Sequence, residues 1–136
     1  MAHEVYFIFY VADQERSTAF YTEVLQRQPI LDVPGITEFE LMDGSILGLL
    51  RTTSASKLLG ASWFEQPDDS TTPRAELYLV VDGPEAYHAR ALACGARELS
   101  AMAVRDWHHR AAYSLGPDGY VLAFAEKLDR AGSDGA

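Results

Sequence analysis

At 136 residues and a formal net charge of −9, the chain suits one compact unit or two small half-domains that share a core. The acidic balance argues against nucleic acid and against an anionic membrane surface as partners, because both need a face rich in Lys and Arg. Cys94 is the single cysteine, which excludes an internal disulfide and points to a reducing, cytoplasmic setting.

The chain opens with MAHEVYFIFYVADQ. Its apolar run lacks a basic start and a small-residue cleavage site, and it is too short to span a membrane. It reads as a strand over 4–12 whose residues are apolar on both faces, with Tyr6, Ile8 and Tyr10 on one side and Phe7, Phe9 and Val11 on the other. Asp13 suits an N-cap, and Phe20, Tyr21, Val24 and Leu25 give the helix over 14–26 its apolar face. A short extended piece over 30–33 ends at Pro34-Gly35. Two strands over 37–42 and 46–50 follow, joined at Asp43-Gly44, a tight hairpin turn. A one-residue slip there decides which face Glu38 and Glu40 take.

Residues 52–73 are rich in Ser, Thr, Asp and Pro. They read as a linker or lid, with a short helix over 55–59 and the large apolar pair Trp63 and Phe64, a kind of residue that in a polar loop usually packs on a groove or on a partner chain. The pattern then repeats. A strand over 75–81 precedes a helix started by Gly83-Pro84, bearing Tyr87, Ala91 and Leu92 on one face and ended by Gly95. A strand over 98–104 leads to a hairpin of 109–115 and 120–125 around Gly116-Pro117-Asp118-Gly119. Cys94 reads as a small residue on a helix face, and His88 as a surface residue. The fold class is therefore α+β: two tandem β-α-β-β-β modules, 4–51 and 74–127, forming curled mixed sheets around a groove with helices outside, a linker over 52–73 and a disordered tail over 128–136.

The stretch YVADQERSTAFYTEVL followed by a hairpin, with LGPDGYVLAFAE closing a second copy, resembles the vicinal-oxygen-chelate superfamily of glyoxalases, extradiol dioxygenases and bleomycin-resistance binding proteins. The resemblance spans residues 4–127. It implies metal ligands at four positions, counted from the helix caps and the closing strands, which here are Tyr6, Gly48, Glu76 and Ala123. Of these, Glu76 alone offers a hard donor, so the resemblance implies the branch that binds ligands without a metal or other cofactor. It also implies a homodimer.

The site residues expected on these grounds are Tyr6, Ile8, Tyr10, Trp63, Phe64, Glu76, Trp107, His109, Arg110 and Ala123. Pairing across the GPDG turn sets Arg110 opposite Ala125, on the Ala123 face, as a polar partner for Glu76. Of the adjacent His108 and His109, one at most faces the groove. The expected function is binding of a small apolar or aromatic molecule by burial between aromatic walls. The alternative is a lyase or isomerase with Glu76 as general base, with or without a divalent metal. A third reading is a packed groove that acts through assembly.

Overall fold

A computed structural model describes residues 1–64 and 72–128. The chain divides into two compact units, Met1–Thr72 and Pro73–Ala136. The residues expected to form the tail lie, from 129 on, outside the described residues, as does the side chain of Trp63.

Unit 1 runs β1 (Val5–Val11), α1 (Gln14–Leu25), β2 (Leu31–Val33), β3 (Ile36–Met42), β4 (Ser45–Arg51), α2 (Thr52–Leu59) and α3 (Ala61–Phe64). Its sheet has the order β1-β4-β3-β2, with β1 parallel to β4 and the other pairs antiparallel. Asp13 caps α1 by accepting from Arg16 N at 3.1 Å. Phe20, Tyr21, Val24 and Leu25 are all buried, as their helical spacing requires. Tyr21 meets Phe9 and Phe39, so α1 covers the sheet face that carries Phe9, Thr37 and Phe39. Met42 pairs with Ser45 around Asp43-Gly44, and Gly44 has φ +80°. That register puts Glu38 and Glu40 opposite Gly48 and Ile46, on the helix-free face with Tyr6, Ile8 and Tyr10.

Gln14 ties unit 1 together. Its buried amide donates to Val33 O and Thr37 Oγ1 at 2.8 and 2.9 Å, and accepts from Gly35 N and Arg51 Nη2 at 2.8 and 2.9 Å. The start of α1 is thereby fastened to the β2–β3 turn and to the end of β4. The linker begins as helix directly at Thr52, three residues before the expected start, and a second short helix follows it.

Unit 2 runs β5 (Glu76–Val80), α4 (Pro84–Ala93), β6 (Arg97–Val104), β7 (His109–Leu115) and β8 (Val121–Lys127). Its sheet order, β5-β8-β7-β6, repeats that of unit 1, with β5 parallel to β8. Tyr87 stacks on Phe124 with centroids 5.3 Å apart, so α4 covers the Leu122/Phe124 face. The buried residues of α4 are Pro84, His88 and Ala91. His88 is thus a core residue rather than a surface one, and its Nε2 lies 2.9 Å from Glu98 Oε2. Cys94 is the exposed C-cap of α4 rather than part of its face. Among the described residues, no helix is long and apolar enough to cross a membrane.

Candidate functional site

Each sheet has one face covered by its long helix, α1 or α4, and one face free of that helix. The expected site residues divide between these faces.

In unit 1, Tyr6, Ile8 and Tyr10 alternate along the edge strand β1 on the helix-free face, 46%, 39% and 38% exposed. Gly48 on the neighbouring β4 pairs with Ile8, whose Cδ1 fills the space that the missing Cβ leaves. Phe64 stacks edge-on against Tyr10 with centroids 5.3 Å apart, so the second linker helix reaches this face. The Tyr6 phenol is pushed above its ordinary value by Glu4 first, then by burial and Glu38.

In unit 2, the helix-free face carries Glu76, Tyr78, His109 and Tyr113, above Ala111, Ala123 and Ala125. These alanines are fully buried, whereas the helix side of β8 bears the large Leu122 and Phe124. Small residues on β8 let side chains from its two neighbours meet above it. Tyr78 Oη lies 2.6 Å from His109 Nδ1, and Trp107 Nε1 donates to Tyr78 Oη at 2.9 Å. The Tyr113 ring stands 6.4 Å from Tyr78, under the Arg105 guanidinium at 5.2 Å. Burial pushes the Tyr113 phenol up, with Glu76 and Tyr78 adding to the shift and Arg105 opposing it.

Arg110 corrects the expected register. It pairs with Glu126, not Ala125, because the loop is Gly116–Tyr120 and Gly116 N donates to Tyr120 O at 2.9 Å. The one-residue difference turns Arg110 to the α4 side. There it binds Glu85 and, at 2.8 Å, Glu126 Oε1, and it is no partner for Glu76. Its hydrogen bond holds the Glu85 carboxyl below the usual carboxylate range. Glu76 itself is exposed at the start of β5.

Of the residues expected from sequence, Trp107 and His109 come together here, and they meet Tyr78, with Arg105 and Tyr113 beside it, none of which was expected. The alternation of AELYLV held the signal for Tyr78, two residues beyond Glu76 on the same face. His108, with φ +62°, is the left-handed residue that separates Trp107 from His109.

A cleft of about 470 Å³ lies elsewhere, lined by Gln14, Glu15, Thr18, Asp32, Pro34 and Arg51 of unit 1 among others. The Gln14 amide and Arg51 are committed there to the internal hydrogen bonds that tie unit 1 together.

The sequence profile of the glyoxalase/bleomycin resistance protein/dioxygenase superfamily matches residues 4–124. The chain belongs to that superfamily. Solved structures agree on the fold. A glyoxalase/bleomycin resistance protein/dioxygenase family enzyme from Burkholderia phytofirmans PsJN is 23% identical, with a TM-score of 0.77 over 90% of this chain and 97% of its own. A glyoxalase/bleomycin resistance protein/dioxygenase from Nocardioides is 22% identical, with a TM-score of 0.73 over 95% and 85%. A glyoxalase-related enzyme from Fulvimarina pelagi is 19% identical, with a TM-score of 0.76 over 93% and 89%. No curated protein matches. The superfamily's metalloenzymes imply a metal at Tyr6, Gly48, Glu76 and Ala123, yet Gly48 and Ala123 carry no donor atom and Ala123 is fully buried. These residue types do not fit a metal centre. Among the described residues, no three of His, Cys, Asp and Glu gather as ligands elsewhere.

Proposed function

We propose that the protein binds a small apolar or aromatic organic molecule on the helix-free faces of its sheets, without a catalytic metal. The observation that carries this reading is the aromatic lining of those faces. Tyr6 and Tyr10 stand more than a third exposed on one, and Trp107 is 51% exposed beside Tyr78 and Tyr113 on the other. Such rings offer a flat ligand both burial and edge or face contacts. The protein acts in a reducing, cytoplasmic setting, in keeping with its free, exposed Cys94.

We also propose that it works as a homodimer. Val5 and Phe7 are 43% and 46% exposed on the opposite side of β1 from Tyr6 and Ile8, so one ligand on the helix-free face leaves them uncovered. An apolar edge strand of this length calls for a covering partner, and a second copy supplies one.

Two experiments test the reading together. Metal content of protein purified without chelators is measured by plasma mass spectrometry, and a panel of flat aromatic compounds is screened by thermal shift. The expected result is no stoichiometric metal and a raised melting temperature with aromatic members of the panel. A stoichiometric divalent ion that is lost in Glu76→Ala would overturn the metal-free reading.

A further inference from the structure

We infer that Tyr78, Trp107 and His109 form a recognition site for a phenolic oxygen on the helix-free face of unit 2. The inference rests on the binding reading above and names the ligand class.

Tyr78 on β5 and His109 on β7 come from strands that flank β8. They meet over Ala125, whose small side chain leaves that space open. The Trp107 indole, delivered by the β6–β7 turn, completes the group. The turn is held from several sides. Arg105 N donates to His109 O at 2.8 Å, and the Arg105 guanidinium donates to Ser100 Oγ, Ala101 O and Ala111 O. His108 keeps a left-handed backbone that a non-glycine residue adopts at a cost, and that conformation sets the directions of Trp107 and His109.

The donors and acceptors define the ligand. An indole N–H can only donate, so Tyr78 Oη accepts from Trp107. The imidazole is free to choose. With Nδ1 bare, it accepts the Tyr78 proton, and the phenol oxygen keeps one lone pair for a ligand hydroxyl. With Nδ1 protonated, it donates to Tyr78, whose own O–H then points to a ligand oxygen. The same three side chains therefore meet either a phenol or a phenolate. In the second arrangement two N–H groups polarise the Tyr78 oxygen and strengthen its O–H as a donor. Lys127 is the cross-strand partner of His109 and Arg105 lies over Tyr113, and these two cations oppose the Glu76 carboxylate that shares the face two residues before Tyr78, so the balance of charge favours the ionised ligand. A ligand bound as phenolate releases its proton to bulk water. The Tyr78 and Tyr113 rings beside the site supply a stacking surface for the ligand ring.

The test is an absorbance titration of para-nitrophenol with the full chain across neutral pH, set beside binding of para-nitrotoluene, which lacks the hydroxyl. The ionised probe is expected to bind at least about fivefold tighter than the neutral one, so that it ionises at a lower pH when bound than when free. Tyr78→Phe keeps the ring and is expected to abolish the preference while para-nitrotoluene binding persists. Trp107→Phe is expected to narrow it, and thermal melting checks that each variant folds. Para-nitrotoluene binding as tightly as para-nitrophenol would overturn this inference and leave the binding reading standing. Binding of neither probe would overturn both. An unchanged ionisation shift in Tyr78→Phe would place the phenolic site elsewhere.

Discussion

Arg110 Nη2 donates to Glu126 Oε1 at 2.8 Å across the β7–β8 pair, and the same guanidinium binds Glu85 at the start of α4. The closing hairpin is thus pinned to the helix that covers it. Glu85 takes a depressed carboxyl pKa from Arg110's hydrogen bond. A carboxyl depressed in the folded state contributes stability above its unfolded value, about 4.3, and that contribution is lost as the pH falls through the folded value. The melting temperature of wild type should therefore exceed that of Glu85→Gln by a constant amount from neutral pH down to about 5, and the gap should shrink at lower pH as the depressed Glu85 carboxyl becomes protonated. A gap that widens in acid would contradict the assignment. Because the pair is exposed, added salt should also reduce the gap.

Ile8 Cδ1 lies 2.6 Å from where a Cβ at position 48 would sit. Ile8 is half-exposed, so its side chain can swing aside. Gly48→Ala should therefore cost less than about 1 kcal/mol, the clash being partly offset by the smaller backbone entropy of the unfolded chain. The cost should disappear in an Ile8→Ala background. Urea unfolding of the four proteins of this cycle measures the coupling.

Gln14 satisfies two acceptors and two donors from a position 7% exposed. Gln14→Ala strands the Gly35 N–H and the Arg51 guanidinium without their shared acceptor. A loss of about 2–3 kcal/mol is expected by chemical denaturation, the range for orphaned buried polar groups. A loss under about 0.5 kcal/mol would show that water replaces the amide without penalty.

His108 is exposed and holds φ +62°. Left-handed backbone costs a non-glycine residue about 1–2 kcal/mol, whereas glycine adds about 0.5–1 kcal/mol of unfolded-state entropy. His108→Gly should therefore stabilise the protein by about 0.5 kcal/mol, whereas His108→Ala should not. Destabilisation by His108→Gly would mean that the imidazole makes contacts that hold the turn.

Much of this architecture is legible in the chain because local signals agree with the global pattern. Asp13, Gly83-Pro84, Asp43-Gly44 and the GPDG turn mark the boundaries of two similar β-α-β-β-β runs, and both sheets take the same strand order. The side-chain arrangement on the sheet faces was legible only in part. Reading GPDG as a four-residue loop instead of Gly116–Tyr120 shifts the pairing by one, which is enough to move Arg110 from one face to the other. The meeting of Tyr78, Trp107 and His109 spans 31 residues of chain and depends on sheet order, which periodicity does not encode. His88 was misjudged because a single histidine on a helix carries no burial signal until the partner strand, here with Glu98, is placed.

Backbone amide chemical shifts followed during titration with a flat aromatic ligand test the central claim most directly. The account predicts perturbations on β1, β5 and β7, around Tyr6, Tyr10, Tyr78 and His109. Perturbations confined to the cleft around Gln14 and Arg51, with those strands unmoved, would contradict it.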